Sequence, residues 1–451
     1  MTPSGIVFSS PADVSQANNH PSVYLSEKIK FSPTFPRYQD PQTKLWVYQI
    51  SLDPGLNRVF YYHQYNSNDP DWVVFYNHQL DKQALPRYYR LNLRTGEKIL
   101  LSDNLCNGEF LNDNYLYVFY HAKKQTIVDG LWHKEEQVSV ARQNILTREW
   151  TFLCPLPKGW KEEGSITANK TDDAVIFTTH NQTDPKTRRI MLFHMEDNSL
   201  VQIYEGNEEL QHFTFSPTDP GIFTYINQSA SYTVARIGVG SVKQKKIQAL
   251  QIVADSTGYF LDVNFRGSNF AHPFWSSDGF LCCDILWHKT NPVDGFGLVK
   301  LDLRPNPLIP VPVEKQQLGF LPAKHWSAHT NKTTLPDWFV SDGDSFPKNP
   351  RRSPPGRGLK IISLFHLLGR KTENFWNAEF FNLASIRGEL YNDLKKRPID
   401  CVPHLVAHQE GVIVTWQCNL TGAGPQNTDA SHSNIFLIQL PSKLTKQLQL
   451  L

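Results

Sequence analysis

The sequence predicts an all-β protein, and more specifically a seven-bladed β-propeller built from four-stranded blades. Three observations support this prediction. A strand–turn–strand pattern recurs seven times along the 451 residues. Aromatic residues make up 12% of the chain, which favours strands, and 30 prolines and 25 glycines interrupt it at turns. A second motif precedes several copies of the pattern, as expected when each unit begins with an equivalent strand.

The recurring pattern consists of an alternating apolar strand, a polar turn and a second strand. Its copies begin at Tyr88, Val140, Ile190, Val234, Gly297, Ile362 and Ile435. Successive starts are separated by 52, 50, 44, 63, 65 and 73 residues. Propeller blades typically repeat every 40–50 residues or so, with insertions lengthening individual units. Two unrelated β-sandwich domains are the alternative, but sandwiches do not require seven similarly ordered units.

The repeats define one propeller domain over residues 44–451, preceded by an N-terminal segment, 1–43. We expect the last unit, Asn434–Leu440, to pair with the strand near Lys44–Ile50. Such pairing would close the ring and leave only short, protected sheet edges.

Two insertions interrupt the repeats. The first, at 344–358, is rich in proline, arginine and glycine. The second, at 372–397, has apolar residues at helical spacing and predicts a short helix over one face. These apolar residues are Phe381, Leu383, Ile386, Leu390 and Leu394.

Composition excludes several classes of protein. The chain has 45 basic and 43 acidic residues, so it lacks the basic excess expected for nucleic-acid binding. No apolar run approaches the roughly 18 residues of a transmembrane helix, so no membrane partner is expected. The N-terminus lacks a charged region followed by an apolar one, and a cytoplasmic protein is therefore expected. The six cysteines form no C-x-x-C pair, and Cys282 and Cys283 are interpreted as core thiols.

Four histidines stand at equivalent places, near the beginning of a predicted inner strand: His212, His272, His329 and His404. The beginnings of inner strands converge at one mouth of a propeller channel. Three imidazoles from three blades would suit a metal site there. Alternatively, these histidines are separate polar residues that line a wet channel or cap strand ends.

Several of these segments resemble motifs of the oligogalacturonate lyases, a cytoplasmic, metal-dependent family of seven-bladed propellers that degrade pectin. HFTFSPTDP from His212 is similar to the family's HxQFxPxDP, and AHPFWSSDG from Ala271 to its THEFWxxDG. SAHTNKTTLPDWFVSDG from Ser327 resembles SHxMSNxDGxxxVGDG, and the stretch from Cys401 resembles the last-blade metal motif. The matches are short but spread over most of the chain.

The resemblance implies a function and a set of roles. It implies a lyase that cleaves short uronic-acid oligosaccharides by β-elimination, with a divalent metal, Mn²⁺, as cofactor and an acidic oligosaccharide as substrate. Arg236 falls on the family's Brønsted base and His272 on its active-site histidine. His329 and His404 fall on metal ligands.

The last-blade motif departs from the family pattern. The family has Gln-x-x-His-x-His, whereas this chain has Ile399 to His404, so an ungapped match loses the first two ligands. Asp400 and Cys401 are the candidate replacements, because carboxylates and thiolates both bind divalent ions. This departure supports a second hypothesis, a non-catalytic propeller that binds a glycan or a protein.

Each remaining candidate has a structural alternative. His212 either binds substrate or is a structural residue of the inner strand, and Arg266 either clamps a second carboxylate or lies in a solvated loop. Arg236 is alternatively a surface or ion-paired residue, and His272 a turn histidine. A third hypothesis, the gating propeller of a serine peptidase, lacks support because the chain contains no G-x-S-x-G motif and no hydrolase domain.

Overall fold

The computed structural model contains only β-strands as regular elements in the residues that it describes. These residues are 29–40, 43–51, 53, 55–60, 71–78, 85–103, 105–112, 114–128, 131–229, 237–249, 269–286, 296–304, 311–312, 319–321, 330–333, 337–344, 359–372, 375–387, 404–408, 410–416 and 434–442. Over these ranges, no helix has the length and apolar character needed to cross a lipid bilayer.

The described part of the chain forms thirty strands. In order, they are β1 (Arg37–Gln39), β2 (Trp46–Gln49), β3 (Leu56–Arg58), β4 (Trp72–His78), β5 (Arg87–Asn92), β6 (Lys98–Asp103), β7 (Cys106–Asn112), β8 (Tyr115–Val128), β9 (Leu131–Asn144), β10 (Trp150–Pro155), β11 (Trp160–Ala168), β12 (Ala174–Asn181), β13 (Arg188–His194), β14 (Ser199–Gly206), β15 (Leu210–Phe215), β16 (Ile222–Asn227), β17 (Ile237–Ser241), β18 (Lys246–Ala249), β19 (Asn269–Trp275), β20 (Leu281–Leu286), β21 (Phe296–Asp302), β22 (Val311–Pro312), β23 (Gly319–Leu321), β24 (Thr330–Lys332), β25 (Trp338–Asp344), β26 (Leu359–Thr372), β27 (Phe375–Arg387), β28 (His404–His408), β29 (Gly411–Trp416) and β30 (Asn434–Gln439).

The strands form an all-β propeller of six hydrogen-bonded sheets. Four of them are four-stranded: β3–β6, β7–β10, β11–β14 and β15–β18. A five-stranded sheet has the order β1-β2-β30-β29-β28. The sixth has nine strands, in the order β19-β20-β21-β23-β27-β26-β25-β24 with β22 paired to β21.

The expected seven separate blades are therefore corrected to six sheets over the described residues. The nine-stranded sheet contains two runs, β19-β20-β21 and β24-β25-β26-β27, and β23 bridges them. β23 is antiparallel to β21 and parallel to β27, where Gly319 pairs with Trp376. The buried Lys300 of β21 also links the two runs, because its Nζ lies 3.1 Å from Asp278 and 2.7 Å from Asp337.

The two ends of the described chain close the ring, as the sequence predicts. β2 pairs antiparallel with β30, with Val47 opposite Ile438. Tyr48 donates its hydroxyl hydrogen to Oε1 of Gln439 over 3.0 Å. The first and last units thus share one sheet.

The helix predicted within 372–397 is wrong over 375–387, where the chain forms β27. This strand pairs with β26 from Leu359↔Arg387 to Thr372↔Phe375. The register shifts from Ile362↔Ala384 to Ser363↔Asn382, so Leu383 lies in a bulge of this strand. Residues 373–374 and 388–397 of this insertion, and residues 345–358 of the first one, lie outside the described residues.

The core lies between neighbouring sheets, so a strand inside a sheet is apolar on both faces. In β12, Val175 and Phe177 pack in one cluster with residues of the β7–β10 sheet. Ala174 and Ile176, on the other face, pack in the next cluster with residues of the β15–β18 sheet. Cys282 is buried and free, which agrees with its interpretation as a core thiol.

Candidate active site

The innermost strands lie side by side around the ring. β7 lies next to β11, β11 next to β15 and β15 next to β19. The series continues from β19 to β24 and from β24 to β28. Each of these strands opens its unit, and inner strands line the central channel of a propeller. Residues near their beginnings therefore lie at the same mouth of the channel.

A β-bulge interrupts the inner strand in four successive units. The register shifts after Asn107 in β7, after Glu162 in β11, after Gln211 in β15 and after Ala271 in β19. A bulge breaks the strict alternation of side chains, and bulges occur often beside active sites because they re-aim particular residues. The mouth of the channel thus has a repeated backbone irregularity where the sequence places its candidate histidines.

Two of the predicted histidines fall within these bulges, and a third begins an inner strand. His212 lies in the β15 bulge, half-buried, with a left-handed φ of 56° that a non-glycine residue seldom adopts. His272 lies in the β19 bulge, and His404 is the first residue of β28. The structure thus brings the backbone positions of all three to the same mouth.

The other candidates fall outside the described residues: Arg236, Arg266, His329, Asp400 and Cys401. In sequence, Arg236 immediately precedes β17, and His329 immediately precedes β24. Their roles remain predictions.

The predicted donor set suits a divalent transition metal. It comprises two imidazoles, His329 and His404, with Asp400 or Cys401 to complete it. Of this set, the structure describes only the backbone of His404, which is the first residue of β28, and β28 is the inner strand next to β24. Among the described residues themselves, no three His, Cys, Asp or Glu side chains form a group that could hold a metal ion.

The structure adds a charged cluster that sequence reasoning missed, at the beginning of β11. Nε2 of the buried His121 lies 3.3 Å from Oε1 of Glu162. Burial acts to raise the pKa of Glu162, but the neighbouring imidazoles of His121 and His180 and a backbone hydrogen bond together outweigh burial. They hold the pKa below its ordinary value of 4.5. Glu162 is therefore ionised at neutral pH.

Glu163, the next residue, takes part in a second pair within the β11 bulge. Its Oε1 accepts a hydrogen bond from Nε of Arg188. Its Oε2 is buried and has no hydrogen-bond partner among the residues that the structure describes. Glu163 is the first residue inside its bulge, as His212 and His272 are in the following units, and Glu162 is the last paired residue before it. An alignment of the units by their inner strands would have revealed Glu162 and Glu163 as candidates.

Comparisons with known proteins support the fold. Neither a protein-family model nor a curated protein sequence matches this chain. Among solved structures, an oligogalacturonate lyase in complex with manganese is similar, with a TM-score of 0.61, 18% identity and coverage of 93% of this chain and 98% of the other. An oligogalacturonate lyase from Vibrio parahaemolyticus has a TM-score of 0.62, 15% identity and coverage of 93% and 100%. At these identities, the likeness establishes the propeller fold alone.

Proposed function

We propose that this chain is a metal-dependent lyase that cleaves short uronic-acid oligosaccharides by β-elimination. One observation carries the proposal: His212, His272 and His404 lie near the beginnings of inner strands that open at the same channel mouth. They do so in a propeller whose fold resembles two oligogalacturonate lyases.

The proposed reaction requires the residue types that the sequence predicts for this mouth. β-Elimination removes the C5 proton of a uronate and breaks the C4–O bond. A divalent cation, when bound, neutralises the neighbouring carboxylate and the enolate-like charge that develops. His329 and His404, with Asp400 or Cys401, would hold that cation. Arg266 and His212 would bind and orient the acidic sugar.

Two residues are candidates for the proton transfer. Arg236 serves as the base only if burial and neighbouring positive charge lower the pKa of its guanidinium, which is ordinarily above about 12. His272 needs no such shift, because an imidazole is ordinarily half-protonated near pH 6.5. His272 would otherwise orient the substrate.

The direct test is to incubate the protein and Mn²⁺ with oligouronates and follow the ultraviolet absorbance of the unsaturated product. We expect product from at least one of the galacturonate, glucuronate and mixed uronate series. The absence of product from all three series would overturn the proposal.

Measuring the metal content of variants distinguishes residues that bind the metal from residues that only lie near it. We expect His329→Ala and His404→Ala to lose the metal while remaining folded, because residues at the mouth contribute little to the cores between sheets. Arg236→Lys should retain the metal but lose turnover, because an ammonium does not reproduce the planar guanidinium. Mass spectrometry measures the metal, and circular-dichroism melts check the fold. Wild-type metal content in both histidine variants would show that neither residue is a ligand.

The second candidate function is a non-catalytic propeller that binds a glycan or a protein. The altered last-blade motif between Ile399 and His404 favours it, and propellers of one fold perform unrelated functions. A stoichiometric, tightly held transition metal in the purified protein would contradict this second function.

A further inference from the structure

The central channel also has a far end, where the inner strands finish, opposite the mouth that carries the candidate active site. Lys332 is the last residue of the inner strand β24. Lys170 lies two residues after Ala168, the last residue of the inner strand β11. β11 and β24 belong to different units, and β15 and β19 stand between them around the ring. Two lysines from separate units therefore lie at the far end of the channel.

The side chain of Lys332 lies on the face of its sheet that meets β19. Lys332 pairs with Phe339 of β25, and residues directly opposite each other in a sheet share a face. The ring centroid of Phe339 is 5.8 Å from that of Phe274 in β19, and both rings are buried. Lys332 itself is half-buried, so it lies beside an apolar seam while it keeps some contact with solvent.

No carboxylate of the described residues neutralises Lys332. Two carboxylates at this end of the channel, Asp278 and Asp337, both bind Nζ of Lys300, at 3.1 and 2.7 Å. Desolvation of Lys332, and to a smaller extent the positive charge of Lys170, instead lower the pKa of its amine to about 7. The two amines are thus close enough to repel each other, whereas charges removed from water are ordinarily paired.

The place of Lys332 is apolar in other units. The residues just before the equivalent turn are Ala168, Phe215 and Trp275, and all three are buried. A charged residue that breaks such a pattern lowers stability unless something compensates for it, and natural proteins accept such violations mainly at functional sites. An anion held between the two amines would compensate, because it removes their mutual repulsion.

We propose that the far end of the channel binds a small tetrahedral oxyanion, of the phosphate or sulfate type, between the ammonium groups of Lys332 and Lys170. A lysine ammonium is a point charge with three donors on a flexible stem, which suits contact with such oxygens. Two of these groups match the double negative charge of the anion. This site uses none of the residues predicted for catalysis or metal binding, so its existence does not depend on the lyase activity.

The test measures the binding of inorganic sulfate to the whole chain by calorimetry, with chloride at equal ionic strength as the control anion. We expect Lys332→Met and Lys170→Met each to weaken sulfate binding about 10-fold or more, because each removes a charge-assisted contact. Lys243→Met is the matched control, because Lys243 is an exposed lysine in the turn between β17 and β18. It should bind sulfate as the wild type does, and circular-dichroism melts check that every variant folds.

The pH dependence of binding identifies the contribution of Lys332. Sulfate keeps both charges from about pH 6 to 9, whereas the amine of Lys332 loses its proton near pH 7. Binding should therefore be tightest at the acid end of this range and weaken about 10-fold towards its alkaline end. Lys332→Arg should bind sulfate with little dependence on pH, because a guanidinium keeps its charge throughout.

Sulfate binding that is weakened by both Lys332→Met and Lys170→Met but not by Lys243→Met, and that weakens with rising pH in the wild type, supports the site. Wild-type protein that binds sulfate no better than chloride overturns it. Binding that survives Lys332→Met or Lys170→Met also overturns it, as does a wild-type affinity that is equal at the two ends of the pH range.

Discussion

At the scale of single residues, Lys332 occupies a place that is apolar in other units. It is the last residue of the inner strand β24, and the N–H of the following Thr333 donates to the carbonyl of Trp338. The corresponding residues before this turn in β15 and β19 are the buried Phe215 and Trp275. Burial, and to a smaller extent the positive charge of Lys170, lower the pKa of Lys332 to about 7.

We predict that Lys332→Met stabilises the protein at neutral pH. The native state disfavours the charged amine, so the wild type loses stability as pH falls from 10.5 to about 7. The full shift corresponds to at most roughly 5 kcal/mol, and less because Lys332 keeps some accessible surface. Denaturant titrations should show a gain at pH 7 that shrinks towards pH 10.5, with little change for the exposed Lys170→Met. A gain independent of pH would contradict this account.

The sequence predicts part of the candidate site because its histidines precede recognisable aromatic strands. His212 and His272 could be placed at the mouth from such local motifs. The pairing of His121 with Glu162 could not, because it joins different sheets and depends on how the units pack. The bulges also escape prediction, since each one breaks the alternation on which strand patterns rely.

At the scale of elements, the turn between the third and fourth strands of a sheet is built in the same way in successive units. Asn92 Oδ1 accepts the N–H groups of the two residues after Leu93, and Asn144 makes the equivalent bonds. Each turn ends on a left-handed residue, a conformation that costs a non-glycine residue about 1–2 kcal/mol. The residues, with φ between 52° and 79°, are Gly96, Arg148, Asn198 and Lys245.

We predict that Arg148→Gly stabilises its turn slightly, by about 0.5 kcal/mol, because relief of the left-handed strain exceeds the added chain entropy. Glu149→Gly, at an ordinary φ, should instead cost about 0.5–1 kcal/mol. Gly96→Ala should cost about 1–3 kcal/mol, because the new Cβ would also lie 2.5 Å from Thr34 Oγ1. Chemical denaturation measures all three, and equal effects of the two glycine substitutions would refute the strain argument.

The regular construction of these turns helps to explain which strands the sequence predicts and which it does not. The seven copies of the repeat each coincide with a strand, from β5 to β30. The sequence predicts them because strand and turn patterns both depend on residues that are close together in the chain. β27 was mistaken for a helix because its apolar residues, including the buried Leu383, do not follow strict alternation. The union of two runs through β23 depends on one contact between distant residues, which no local pattern specifies.

At the scale of the whole molecule, Arg94 ties the first and last units together beside the shared sheet. Its Nε donates to Asp71 over 2.8 Å, and its Nη2 donates to Glu410. Its Nη1 donates to the carbonyl of Lys30 over 2.8 Å, and the guanidinium stacks on the ring of Phe31. One side chain therefore joins the N-terminal segment, the first sheet and the β28–β29 turn.

We predict that Arg94→Met destabilises the ring by about 1–3 kcal/mol, because two partly buried carboxylates lose their shared cation. The matched control is Arg304→Met, because the side chain of Arg304 is 59% exposed and pairs with Asp302, two residues earlier in the sequence. That change should cost no more than about 0.5 kcal/mol, since exposed local pairs contribute little. Denaturant unfolding measures the loss of stability in each variant. A larger loss of stability for Arg94→Met than for Arg304→Met would show that Arg94 helps to close the ring. Similar losses of stability in the two variants would mean that the β2–β30 pairing alone holds the ring closed.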